Sequence, residues 1–194
     1  MARPREFNED HALDQALQVF WTKGYEATSL RDLIGAMGIS KSSFYDTFGS
    51  KHELFLAALD RYNDTVASCG LEAVIQQASS PVTGIRNAFQ ATIEKMVQRG
   101  DTRGCFISNC AVDTACQDEA VASKVSQGLA HTEETFYRAI KRGQKLGEIS
   151  SDKEPRALAR YLTGALNGLL VLAKANPDRK ALQDVARISL AALE

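Results

Sequence analysis

Between Gly38 and Gly49 the chain reads Ile39-Ser-Lys-Ser-Ser-Phe-Tyr-Asp-Thr-Phe. In a helix, Ile39, Phe44 and Phe48 share one face, at spacings of five and four, and leave Lys41, Ser42, Tyr45 and Asp46 on the other. Hydroxyls, an ammonium group and a phenol donate and accept hydrogen bonds. That is the chemistry that reads base edges in a major groove, which admits one α-helix, and that holds phosphates. The plain alternative is the solvated side of a surface helix. Ser40 as cap and the two flanking glycines favour the first reading, because they set this short helix against its predecessor as the second member of a helix-turn-helix.

A second candidate for chemistry is Arg103-Gly-Cys105, at an expected helix start. A helix N-terminus and a nearby cation both favour the thiolate, so Cys105 is a candidate sensor of electrophiles or oxidants; a small buried hydrophobe is the ordinary alternative. A metal site is not expected. Cys105, Cys110 and Cys116 are five and six apart, so successive pairs on one helix point about 140° and about 240° around from one another. Catalytic signatures are missing as well: there is no His-Glu-x-x-His, no Glu-x-x-His and no phosphate-binding glycine loop, and His11, His52 and His131 are scattered. No cofactor is implied.

These groups sit in a chain whose pattern is helical throughout. Apolar residues recur at spacings of three and four, and no alternating run of β-branched residues is sustained. With 44% hydrophobic and 24% charged residues and a formal net charge of −1, the balance is that of a soluble globular protein. The most apolar run, Tyr161 to Ala173, is too short to span a bilayer. No signal peptide is apparent, so a cytoplasmic location with reduced cysteines is expected. The spacing predicts nine helices: about Glu9 to Lys23, Thr28 or Ser29 to Met37, a third capped by Ser40, Lys51 towards Cys69, Pro81 to Arg99, Gly104 to about Ala115, Asp118 to Leu146, Glu154 to Lys174, and Asp178 to Leu193. Two domains are expected: residues 1–52, a helix-turn-helix unit, and residues 53–194, a helical remainder for ligand binding and dimerisation.

Over residues 7 to 60 the sequence resembles a known family. Tyr25-Glu-Ala-Thr-Ser-Leu-Arg-Asp-Leu, Met37-Gly-Ile-Ser-Lys-Ser-Ser-Phe-Tyr and Phe48-Gly-Ser-Lys look like the N-terminal DNA-binding domain of tetracycline-repressor-family (TetR/AcrR) regulators. The resemblance implies an all-α homodimeric regulator of a palindromic double-stranded operator, more often a repressor, released by a small-molecule inducer of unknown identity. It implies that Tyr45 and Lys51 contact phosphates and that Arg31 reaches a base. Lys41, Ser42 and Ser43 would occupy the base-facing start of the recognition helix, and Thr28, Ser29 and Ser40 would offer hydroxyls or amides to phosphates. Gly104-Cys105 is likewise similar to a glycine-cysteine pair in a branch of the family that responds to electrophiles. A helical adaptor that binds only protein is the competing function, and it predicts no salt-dependent DNA affinity.

Residues 1 to 51 hold six Lys or Arg and seven Asp or Glu, so affinity for DNA must come from the placement of charge, not its sum. Arg3 and Arg5 form a candidate minor-groove arm. In the remainder, Gly164, Ala165 and Gly168, flanked by Leu169 and Leu172, let a partner helix approach, and Val185 and Ile188 extend an apolar stripe on the ninth helix. In the family the last two long helices form a four-helix dimer bundle, and a two-fold operator needs two recognition helices about 34 Å apart. Candidate walls of a ligand cavity are Phe89, Met96, Cys105, Phe106, Cys110, Phe136 and Tyr137, with Asn109, His131 and Tyr161 as polar members.

Overall fold

The computed structural model describes residues 7–98, 100–101, 103–115 and 117–194 and, within them, not the side chains of 66–69. Every regular element is helical, in the order α1 (Glu9–Lys23), α2 (Leu30–Met37), α3 (Lys41–Phe48), α4 (Lys51–Tyr62), α5 (Cys69–Gln76), α6 (Pro81–Gln98), α7 (Phe106–Asp113), α8 (Glu119–Lys145), α9 (Pro155–Ala175) and α10 (Arg179–Leu190). Local chemistry explains the ends. Asn8, Ser29, Ser40, Ser50, Asp118, Glu154 and Asp178 each accept a backbone N–H at a helix start. Gly38, at φ 66°, closes α2 in the left-handed region that suits glycine. Arg3 and Arg5 lie outside the described residues.

One expectation is corrected. The fourth helix does not run unbroken to Cys69: α4 ends at Tyr62, a π-helical turn covers Asn63–Ser68, and α5 follows. The Thr65 hydroxyl donates to the Arg61 carbonyl at 2.6 Å, and the Asn63 amide donates to the Lys124 carbonyl of α8 at 3.4 Å. These side-chain bonds compete with the regular backbone ladder and accommodate the wider turn. Counted as one run, Lys51 to Gln76 restores the nine expected units.

Two hydrophobic cores result. The first gathers Phe20 and Trp21 of α1, Leu33 and Phe44 of the helix-turn-helix, and Leu54, Phe55, Leu59 and Tyr62 of α4. Phe106, Ile107 and Cys110 of α7 and Val121 and Val125 of α8 complete it, so it crosses the expected boundary at residue 52. The second gathers Ile85, Phe89, Ile93 and Met96 of α6, Phe136 and Ile140 of α8, Leu162, Leu166 and Leu169 of α9, and Leu182 of α10. Helix α8, 27 residues and about 40 Å long, belongs to both. Helices α5 and α6 meet at Gly84, where a Cβ would lie 2.6 Å from the Ile75 carbonyl oxygen.

Candidate nucleic-acid interface and effector region

Helix α3 is held by one side and open on the other. Phe44 is fully buried and packs edge-on to Tyr45 and against Phe48, and Ile39 is buried beside it. Lys41, Ser42, Tyr45 and Asp46 are exposed, and Ser43 is half-buried. Ser40 accepts the Ser43 amide at 3.1 Å, and its hydroxyl lies 2.9 Å from those of Ser42 and Ser43. A row of linked hydroxyls thus opens the helix at its N-terminal end. Arg31 is exposed on α2, and the Lys51 ammonium sits 4.3 Å from the centre of the Tyr25 ring, a cation–π contact that fixes it at the start of α4.

Asp46 is exposed on this face, while Asp10, Asp14 and Asp32 are engaged by neighbouring cations. Asp14 accepts two bonds from Arg61 of α4, at 2.8 and 3.0 Å, and Asp10 a longer one. Asp32 accepts Lys23 at 2.7 Å and closes a capping box with Ser29. The Lys23 ammonium, then the Ser29 hydroxyl, hold the Asp32 carboxyl well below the ordinary carboxylate range. The exposed cations Arg31 and Lys41 thus stand on a segment that is not basic in sum.

Two of the nine expected DNA contacts look different in structure. Thr28 is buried, and its hydroxyl donates to the Gly24 carbonyl at 2.6 Å, so it locks the α1–α2 turn instead of facing outward. The Ser29 hydroxyl is committed to Asp32, which leaves its role as a helix cap.

The helix-turn-helix is tied to the remainder by specific bonds. The His52 ring lies 2.6 Å from Asp118, the N-cap of α8, and within the remainder Lys124 fastens α8 to α4 by donating to Asp60 at 2.7 Å. The Trp21 indole donates to the Gly104 carbonyl at 3.2 Å, and the Arg103 guanidinium stacks on the same ring at 4.0 Å while donating to Asp101 and Gln18. Cys105 follows at once, the half-buried N-cap of α7, with its Sγ accepting the Tyr62 hydroxyl at 3.5 Å. Burial, then Cys105, push the Tyr62 phenol well above its usual value. Burial pushes the Cys110 thiol up to about 12.

The residues expected to wall a cavity among the effector helices separate in the structure. Phe89, Met96 and Phe136 are packed in the second core, Tyr137 is covered by the Arg156 guanidinium at 3.7 Å, and His131 and Tyr161 are exposed. Phe106, Asn109 and Cys110 do line a cleft, of about 120 Å³, but it lies at the junction with the helix-turn-helix. Its other walls are Phe20, Trp21, Thr22, Lys23, Gly24 and Tyr25, Asp113 and Thr114, and Lys174 of α9. Residues so far apart in the chain carry no shared sequence signal.

On α9 and α10, Tyr161, Gly164, Gly168, Val171, Leu172 and Ile188 are exposed, and Val185 is half-buried. They form an apolar strip facing away from the protomer. Leu169, expected on that strip, is corrected to the protomer's own core, where it is fully buried: it lies one position past Gly168 and so about 100° around the helix. Among the described residues no helix is long and apolar enough to cross a membrane.

A family model described as bacterial regulatory proteins, tetR family, matches residues 12–58, and one described as tetracyclin repressor-like, C-terminal domain, matches residues 81–189. The chain is 33% identical over 195 residues to the HTH-type transcriptional regulator YezE of Bacillus subtilis (strain 168), covering all of both. It is 30% identical to the HTH-type transcriptional repressor ComR of Escherichia coli (strain K12), over 97% of this chain and 90% of ComR. Among solved structures it is similar to a cysteine mutant of the TetR family transcriptional regulator CifR complexed with 26-bp double-strand operator DNA. The two are 32% identical, with a TM-score of 0.87 over 99% of this chain and 100% of that one. The reduced form of E. coli NemR shares the fold, at 21% identity and a TM-score of 0.84 over 93% of each chain.

Proposed function

Because this chain belongs to the tetR family of bacterial regulatory proteins and is a DNA-binding transcriptional regulator, we propose that it acts in the cytoplasm as a homodimeric repressor whose recognition helix is α3. Lys41, Ser42 and Ser43 read base edges at the start of α3, and Arg31 reaches in from α2. Tyr45, Lys51 and the Ser40 end of α3 hold phosphates. Ser29 acts through its backbone and its cap. The observation that carries this reading is the division of α3 into a fully buried Phe44 side and an exposed hydroxyl, ammonium and phenol side.

The strip around Gly164, Gly168, Leu172, Val185 and Ile188 seats a second copy, so that two α3 helices face successive turns of one duplex. That the relative CifR is complexed with 26-bp double-strand operator DNA supports DNA binding by this chain. Release follows from an inducer or from modification of Cys105, whose loop is bonded through Gly104 to Trp21 of α1. Only an agent that interacts differently with the bound and released states shifts the balance. The test is fluorescence anisotropy on a labelled duplex: Lys41→Ala and Arg31→Ala each lower affinity and flatten its salt dependence, and electrophile-driven release disappears in Cys105→Ser. Unchanged affinity in both basic variants refutes the interface.

A further inference from the structure

The cleft at the junction joins three bodies: the end of α1, helix α7, and α9 of the outward strip. Its chemistry is uneven. Trp21 and Phe106 contribute the smaller, apolar part of a mainly polar lining, Lys174 brings an ammonium group, Lys23 lies on the rim and Asp113 brings a single carboxylate. The Lys174 head is held in place, because the Asn109 amide donates to the Arg103 carbonyl at 2.9 Å and turns its oxygen to accept Lys174 at 3.2 Å. An ammonium has three donors, so Lys174 keeps two for a ligand after that bond. Lys23, on the rim, spends its charge on Asp32, which in turn caps α2.

We infer that this cleft binds a small monocarboxylate, held by Lys174 against Trp21 and Phe106, and that its occupancy competes with Asp32 for Lys23. Three features set the class. A cavity of about 150 Å³ accommodates benzene, so about 120 Å³ suits a ligand of about six non-hydrogen atoms. Asp113 repels a second negative charge and so disfavours dicarboxylates. Cys110 in the wall is buried, and burial pushes its thiol up to about 12, so the cleft presents no thiolate at that position. Drawing Lys23 from Asp32 removes the cation that steadies the α2 cap, directly beside the recognition helix. The effect on DNA rests on the regulator reading; occupancy of the cleft does not.

Trp21 is the one tryptophan of the chain, so its fluorescence reports on the cleft. The experiment titrates the full-length protein with sodium butyrate, a six-atom monocarboxylate, and in parallel with neutral butyramide, at ionic strength held constant with sodium chloride. The expected result is a saturable change with butyrate and none with butyramide. Affinity falls about tenfold or more in Lys174→Gln, the loss expected of a charge-assisted hydrogen bond, and is retained in Lys174→Arg. At saturating butyrate, duplex affinity falls several-fold in the parent and not in Lys174→Gln. A response without saturation, an equal response to butyramide, or a Lys174→Gln variant that titrates like the parent overturns the site. Saturable binding with unchanged duplex affinity overturns the coupling through Lys23. A protein that binds a duplex but gives no saturable signal loses only the cleft; one that gives the signal but binds no duplex loses only the regulator reading.

Discussion

Phe44 and Tyr45 are neighbours in sequence and opposites in burial, at 0% and 47% exposed, and that contrast predicts a double dissociation. A buried phenylalanine removes about 150–250 Å² from water, worth about 4–6 kcal/mol at about 25 cal/mol per Å². Measured Phe→Ala costs in cores run about 3–5 kcal/mol. Phe44 packs in a core shared with α4, α7 and α8, so Phe44→Ala should lower the urea-unfolding free energy of the protein by about 3–5 kcal/mol. Tyr45→Ala removes an exposed ring and should stay within about 0.5 kcal/mol of the parent. Duplex affinity should nevertheless fall about tenfold or more, because a hydrogen bond to a charged phosphate contributes about 1.5–3 kcal/mol. Circular dichroism in urea and anisotropy on a fixed duplex at fixed salt give both numbers. The reasoning is refuted if Tyr45→Ala destabilises as much as Phe44→Ala, or if it leaves DNA affinity unchanged.

A Cβ added at Gly164 or Gly168 meets nothing within 4 Å in the protomer, so Gly164→Ala with Gly168→Ala should leave helix content unchanged and weaken self-association in analytical ultracentrifugation; an unchanged dimer constant would place the interface elsewhere. The Arg103 guanidinium holds the Asp101 carboxyl at about 2, below its unfolded value, so this pair contributes stability that is complete above about pH 4 and is lost as pH falls toward 2. In urea titrations at pH 5 and pH 3, the drop in stability should be smaller in Asp101→Asn than in the parent. Cys110, buried and with its thiol pushed up to about 12, should resist iodoacetamide at pH 8 in the folded protein and react once urea unfolds it, as peptide mass mapping would show.

Helix-start chemistry was highly legible. Ser40 announces α3, and Thr28 or Ser29 announces α2, because a hydroxyl before a periodic run can accept the amide three residues on; the structure assigns the α2 cap to Ser29. The buried side of α3 was legible for a similar reason, since period alone places Ile39, Phe44 and Phe48 together. The break after Tyr62 was not, because it depends on Asn63 reaching α8, a partner 61 residues away. Periodicity also marks Phe89, Met96 and Phe136 as inward-facing, and they are buried, but it does not say whether an inward side chain meets core or ligand. Leu169 and Tyr161 show the same limit at a surface. Both lie in an apolar run, and only the packing of α9 on α6, α8 and α10 decides that one is inside and the other outside. The charge pattern misleads most when summed: Asp10, Asp14 and Asp32 count against a basic surface until Arg61 and Lys23 are seen to engage them.

The most direct test of the central claim is selection from a pool of random-sequence duplex DNA by the purified protein, at two salt concentrations, with sequencing of the retained fraction. A DNA-reading dimer should enrich a palindrome whose half-sites are about one helical turn or slightly more apart, with weaker retention at higher salt. Folded protein that enriches no sequence at either salt would contradict the assignment of α3 as a recognition helix.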